Sequence, residues 1–229
     1  MVSGPDGYCY PARNTASMDG WLMILQKLVA AETLLVIPCS KGKQSGGEPS
    51  SRKQSPWPPD LLTARQSNLE TAEADERQLL PAWLRYTGGF YTTAGNELRD
   101  AVARDTPLLI LSGGYGVVHP EEPIGDYNKI LRLTDWPSGL LEDLLIREAG
   151  RRGVSSVVAF AASSSDYAKL IRRAKWTDAG LGAFLVTIRN AGMGASGKVP
   201  RRLGQAFACF WRGQPAEMYP EGTTVETLG

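Results

Sequence analysis

The sequence predicts one α/β domain: a three-layer sandwich with a mainly parallel central sheet of about four or five strands and helices on both faces. Two observations carry this expectation. Four apolar runs of strand length, at residues 33–38, 107–112, 154–160 and 183–188, have the near-continuous hydrophobicity of strands buried on both faces. The segments between them show helical spacing rather than hairpin turns, so each return to the sheet is a parallel crossover. No internal repeat or second hydrophobic block divides the chain. The domain is expected over 18–213, with a loose arm at 1–17 and a polar tail at 214–229 running over the surface.

Each element has a local reason. Gly4, Pro5, Gly7, Pro11 and Asn14 break any period in the arm. A helix follows at 18–31, with Ser17 or Asp19 able to cap it. The first strand reads Thr-Leu-Leu-Val-Ile and stops at Pro38. Residues 42–59, mostly Gly, Ser, Pro, Lys and Gln, make a loop too long to be filler in a compact domain. The stretch 61–85 is rich in Leu, Ala, Glu and Arg and predicts a helix, as does 92–104 with Leu98 and Val102. After the second strand, 137–152 places Leu140, Leu141, Leu144 and Leu145 on one helical side. The third strand leads to a short helix at 164–175. The fourth leads to a glycine loop and a last helix at 200–212, with Pro200 in its first turn.

Composition narrows the function classes. With 42% hydrophobic and 21% charged residues, the chain is neither collagen, coiled coil nor wholly disordered. No run approaches the roughly 18 apolar residues of a membrane helix, so no membrane partner is expected. A net charge of +1 gives no broad footprint for duplex nucleic acid, although a local basic patch stays open. Cys9, Cys39 and Cys209 are far apart and form no CxxC pair, which argues against a disulfide framework or a zinc module. The apolar stretch 21–31 contains Gln26 and Lys27 and has no basic leader. A reduced, cytoplasmic setting is the expectation, with no metal or other cofactor.

Ligands of open parallel sheets bind beyond the carboxyl ends of the strands. The residues there are Cys39-Ser40-Lys41 after the first strand, Gly113-Gly114-Tyr115-Gly116 and His119 after the second, Ser163 to Tyr167 after the third, and Arg189-Asn190 with Gly192 and Gly194 after the fourth. All four sets are small, polar or reactive, so Cys39, Tyr115, Ser163 and Asn190 are expected to line a shared hollow. His119, the only histidine, is followed by Asp126 and Tyr127, a grouping suited to general acid–base chemistry. Asp126, His119 and Tyr115 are the candidate catalytic residues. Cys39, Ser40, Lys41, Gly113, Gly114, Tyr127, Ser163, Arg189, Asn190, Gly192, Gly194 and Lys198 are the candidate substrate contacts.

The run Gly192-Met-Gly-Ala-Ser-Gly-Lys198-Val199 fits two phosphate-loop patterns in outline. Val199 stands where a magnesium-binding hydroxyl is needed, and no acidic strand end follows for a dinucleotide, which leaves an anion-binding loop. Trp57, Trp83, Tyr86, Phe90 and Tyr91 lie between the first and second strands as either a base-stacking wall or core.

The elements Pro38-Cys-Ser-Lys-Gly-Lys43, Ser112-Gly-Gly-Tyr-Gly-Val-Val-His-Pro120 and Ile124-Gly-Asp-Tyr127 resemble a bacterial and phage family related to the peroxide-stress protein YaaA. The Pro-Cys-Ser motif also resembles a domain of archaeosine synthase. The resemblance spans about residues 33–127 and implies a fold like that of uracil-DNA glycosylases, with nucleobase chemistry. Gly114 stands for the family's lysine, Gly125 for its proline, and Gln44-Ser45 for the synthase's Pro-Tyr.

Together these features point to an enzyme acting on a nucleoside, nucleotide or modified base, cleaving or exchanging an N-glycosidic bond. Its partner would be that small-molecule substrate. Two alternatives stand beside it. One is a nucleic-acid-binding stress protein without catalysis, using Lys41, Lys43, Arg52, Lys53, Arg201 and Arg202 on phosphates. The other is an amidotransfer or ligase-type enzyme using Cys39 or Lys41.

Overall fold

The computed structural model describes residues 24–49, 55–189 and 194–228, together with Gly20 and the backbone of 2–3 and 9–10. Most of the arm expected at 1–17 lies outside the described residues, as do 18, 19 and 21–23 of the helix expected at 18–31. The far end of that stretch forms a single 3₁₀ turn, Ala30–Glu32.

The strands are β1 (Leu34–Pro38), β2 (Glu48–Pro49), β3 (Asp75–Pro81), β4 (Leu108–Ser112), β5 (Gly116–Val118), β6 (Pro123–Asp126), β7 (Ser156–Phe160), β8 (Gly182–Ile188) and β9 (Thr223–Leu228). The helices are α1 (Pro59–Thr71), α2 (Ala82–Arg85), α3 (Gly89–Ala103), α4 (Leu140–Arg151), α5 (Asp166–Arg173) and α6 (Ala195–Trp211). A six-stranded sheet runs in the order β9-β8-β7-β1-β4-β5. Its inner four strands are parallel, and β9 and β5 close it as antiparallel edges. The α/β class expected from the apolar runs holds, with those four runs as the parallel strands.

Alternation along β1 and β4 separates two cores. Leu35, Ile37, Leu108 and Ile110 face a layer with Phe90, Leu98, Phe207 and Phe210 of α3 and α6. Leu34, Val36, Leu109 and Leu111 face α1, α4 and α5 through Leu61, Leu141, Leu145, Leu170 and Ile171. Full burial of each such side chain contributes about 1.5–3 kcal/mol.

Three expectations are corrected. The last helix, expected at 200–212, begins at Ala195, so Pro200 lies inside it rather than in its first turn. The helix expected at 61–85 ends at Thr71, and the chain turns into β3, which pairs antiparallel with β6 and β2 in a small second sheet. The turn is a Schellman cap: Ala74 N–H bonds Leu69 O, Glu73 N–H bonds Glu70 O, and Glu73 takes φ +49°. The tail expected to run over the surface after Gln214 instead ends in β9, whose Thr223 and Val225 bury while Thr224 and Glu226 are half-buried on the other face. Arg172 of α5 pairs with Glu226 at 2.7 Å and ties that edge down.

Candidate functional site

Between β7 and β1 the chain order reverses, because β1 leads to β4 on one side while β7 and β8 lie on the other. Connections leaving adjacent strands in opposite directions open a crevice at the carboxyl ends of those strands. A hollow of about 450 Å³ occupies this end of the sheet, with Cys39, Ser40, Lys41 and Lys43 after β1 on one side. The irregular segment after β6 supplies Asn128, Lys129, Ile130, Arg132 and Asp135, while α1 and α5 add Thr71 and Tyr167.

The first wall is anchored by the sheet. Cys39 N–H donates to Leu111 O at 2.8 Å, continuing the β1–β4 ladder, and Cys39 Sγ lies 3.1 Å from Tyr167 Oη. Leu131 N–H donates to that phenol oxygen at 3.5 Å, so a backbone amide and the sulfur both face it. Burial, with the cysteine beside it, holds the Tyr167 phenol well above the usual tyrosine range. It stays a neutral donor. Ser40 Oγ donates to Gly42 O at 2.6 Å and accepts from Gly88 N–H at 3.0 Å, which fixes the loop against the start of α3.

Lys43 is the half-buried cation of the hollow. Its Nζ lies 4.0 Å from the centre of the Tyr127 ring and donates to Ser40 O at 3.3 Å. Burial lowers its pKa first; the charges of Cys39 and Asp126 oppose the shift and Arg85 adds to it. Beneath it, the hydroxyls of Tyr86, Tyr127 and Ser112 form a buried chain with 2.7 Å spacings. Desolvation keeps both phenols protonated far above their ordinary range.

The opposite wall is held by side chains. Lys129 pairs with Asp135 at 3.1 Å and also donates to Thr71 Oγ1 at 3.0 Å and to Asn68 Oδ1. Gly113 and Gly114 lie behind this wall. A Cβ at Gly113 would run into the Lys129 carbonyl oxygen, and one at Gly114 would come within 3.0 Å of the Tyr127 ring. Their glycines serve close approach of two backbone segments rather than ligand contact.

The expected residues therefore divide. Cys39, Ser40 and Lys41 line the hollow, and Tyr127 forms the floor under Lys43. Asp126 is exposed at the end of β6 and acts on Lys43 through charge. Tyr115 and His119 line a second hollow of about 990 Å³ with Arg65, Glu76 and Glu122. There Tyr115 Oη accepts from Gly125 N–H at 2.8 Å and donates to Glu76 at 3.2 Å. The His119 ring stacks on Trp57 at 4.7 Å, and burial lowers its pKa against the pull of Glu148 and Glu122.

The backbone of Ser163 and Arg189 is used in packing: Ser163 O accepts from Arg172, and Arg189 N–H bonds Gly222 O. Gly194 takes φ +78° before α6, and Lys198 is exposed on that helix. Asn190 and Gly192 lie outside the described residues. The shared hollow expected for Cys39, Tyr115 and Ser163 is not formed: Cys39 and Tyr115 line separate hollows and Ser163 lines neither.

Asn128, Lys129, Arg132 and Asp135 were invisible to a search of strand ends, because they follow a strand of the second sheet. The available signal was the run Asn-Lys-Ile-Leu-Arg, which has two cations and no helical or strand period. Among the described residues, no group of three or more His, Cys, Asp or Glu side chains could hold a metal ion, and no helix is long and apolar enough to cross a membrane.

Comparison with known proteins returns no match to this chain among family models, curated proteins or solved structures.

Proposed function

We propose that the protein is an enzyme acting on a nucleoside or nucleotide, cleaving or exchanging its N-glycosidic bond in the switch-point hollow. The observation that carries this is that a carboxylate, Asp135, and a neutral phenol beside a thiol, Tyr167 and Cys39, line one hollow. The resemblance of the Pro-Cys-Ser segment to nucleobase-acting proteins points the same way.

N-glycosidic cleavage passes through a sugar that gains positive charge as the base departs. In this scheme Asp135 takes the part expected of Asp126: it faces the sugar and orients the attacking water or acceptor. The bond from the anomeric carbon to the base nitrogen breaks and its electron pair leaves with the base. Water adds to the carbon, and its proton reaches the departing base directly or through a hydrogen-bonded group. Tyr167, kept protonated by burial, holds the base as a donor.

The test is incubation with a panel of nucleosides and nucleotides, monitored for free base by chromatography. Turnover is expected, with Asp135→Asn lowering it about 100-fold or more while binding persists. Binding without base release from any member removes the glycosidic assignment and leaves an anion-binding protein. Loss of turnover in Cys39→Ser with an unaltered Asp135→Asn would favour the ligase-type alternative.

A further inference from the structure

We infer that the substrate carries a phosphate monoester, held in the switch-point hollow by Lys41, Lys43 and Arg132. This rests on the nucleotide assignment above and narrows it to phosphorylated members. Four cations and a single carboxylate line the hollow, a local excess of three positive charges in a chain whose net charge is +1. Lys129 is already matched by Asp135 and belongs to the wall. The other three have no carboxylate within ion-pair distance among the described residues. Three unpaired cations around about 450 Å³ leave a charge deficit that a neutral nucleoside cannot fill, whereas a dianionic phosphate can.

Lys43 sharpens the point. Its ammonium is half-buried over the Tyr127 ring, and desolvation already pulls its pKa down. An anion at that position would restore what burial removes. Next to the cations, Ile130 leaves 59% of its surface exposed on the rim, an apolar face beside a charged one. That contrast suits a ligand with a charged end and a flat apolar body. The hollow has the size of small-molecule sites, about 300–1,000 Å³. Lys41, Lys43 and Arg132 line a single hollow of about 450 Å³, where a nucleic-acid track would need cations spread along a groove.

The experiment is calorimetric titration of the full chain with inorganic phosphate, the common ribonucleosides, their 5′-monophosphates and a single-stranded oligonucleotide. At least one monophosphate is expected to bind about tenfold or more tightly than its nucleoside, with inorganic phosphate competing. Arg132→Met and Lys41→Met, both at exposed positions, should each weaken the monophosphate about 5- to 20-fold and leave nucleoside affinity alone. Equal affinity for nucleoside and monophosphate, or unaltered affinity in both variants with an unchanged melting temperature, overturns the inference. Tighter binding of the oligonucleotide than of any monophosphate overturns it in favour of a nucleic-acid partner, and no binding of any probe overturns it outright. Base release is not read here, so the two proposals fail separately. Monophosphate binding without base release removes only the glycosidic step, and base release from nucleosides with no preference for phosphates removes only this inference.

Discussion

Arg65 offers the clearest energetic test of how the second hollow is built. It sits on α1 with 6% of its side chain exposed and reaches across to the turn between β4 and β5. Its Nε donates to Tyr115 O at 2.6 Å, one terminal nitrogen donates to Glu122 Oε1 at 2.6 Å, and the other donates to Val117 O. Arg65→Met keeps most of the apolar stem and removes all of these donors. Breaking a buried ion pair costs about 3–5 kcal/mol when the surviving charge is stranded. Glu122 would not be stranded, because Trp57 Nε1 at 2.7 Å and His119 N–H at 3.2 Å still reach it.

The lower end applies, about 3 kcal/mol, and most of it comes from two buried carbonyls left without donors. Arg65→Lys can satisfy one acceptor and should lose about 2 kcal/mol. Urea unfolding at constant m-value measures both. A loss below about 1 kcal/mol for Arg65→Met would show that water replaces the guanidinium and that the clamp does not hold α1 to the sheet.

Three further outcomes follow from the same structure. Because burial lowers the His119 pKa in the fold, the unfolded chain binds that proton first; stability should be complete above about pH 6.5 and fall below it by up to about 1.4 kcal/mol per pH unit. Urea melts at several pH values check this, and His119→Gln should flatten that part of the curve; a flat wild-type profile sinks it. Lys43→Met removes a desolvated cation that has no carboxylate within ion-pair distance among the described residues and should raise stability by up to about 1 kcal/mol while weakening anion binding, a trade measured by thermal melts beside calorimetry. Gly113→Ala forces a methyl group against the Lys129 carbonyl and should cost about 1–3 kcal/mol in unfolding experiments, with anion affinity falling as the wall shifts.

The central sheet was legible because parallel strands buried on both faces leave runs such as Leu-Leu-Val-Ile that no surface element would carry. The end of α1 was not, because its Schellman turn uses Glu73 at positive φ where a glycine would have announced the stop. Helix α3 ends the same way at Asp105, with φ +50°, yet there the following apolar run marked the boundary. Strand β3 reads Asp-Glu-Arg-Gln-Leu-Leu-Pro, a helix-forming composition overruled by pairing with β6 and β2. At the site, Cys39, Ser40 and Lys41 were readable from the strand that ends beside them. Tyr115 and His119 were grouped with them because they follow the neighbouring strand β4, yet the chain folds back there as β5 and both residues line the second hollow.

The two walls of the switch-point hollow differ in mechanical origin. Cys39 is fixed by a main-chain bond that extends the β1–β4 ladder, so displacing it means unzipping the strands around which the protein is organised. Across from it, Lys129 to Asp135 keep their place through side chains of Asn68, Thr71, Asp166 and Tyr167, each of which can let go singly. Amide exchange should accordingly be slow on one bank and fast on the other until a ligand bridges them. Entry and departure of any guest would then be governed by the breathing of a single bank, with the other serving as a fixed reference against which it is aligned.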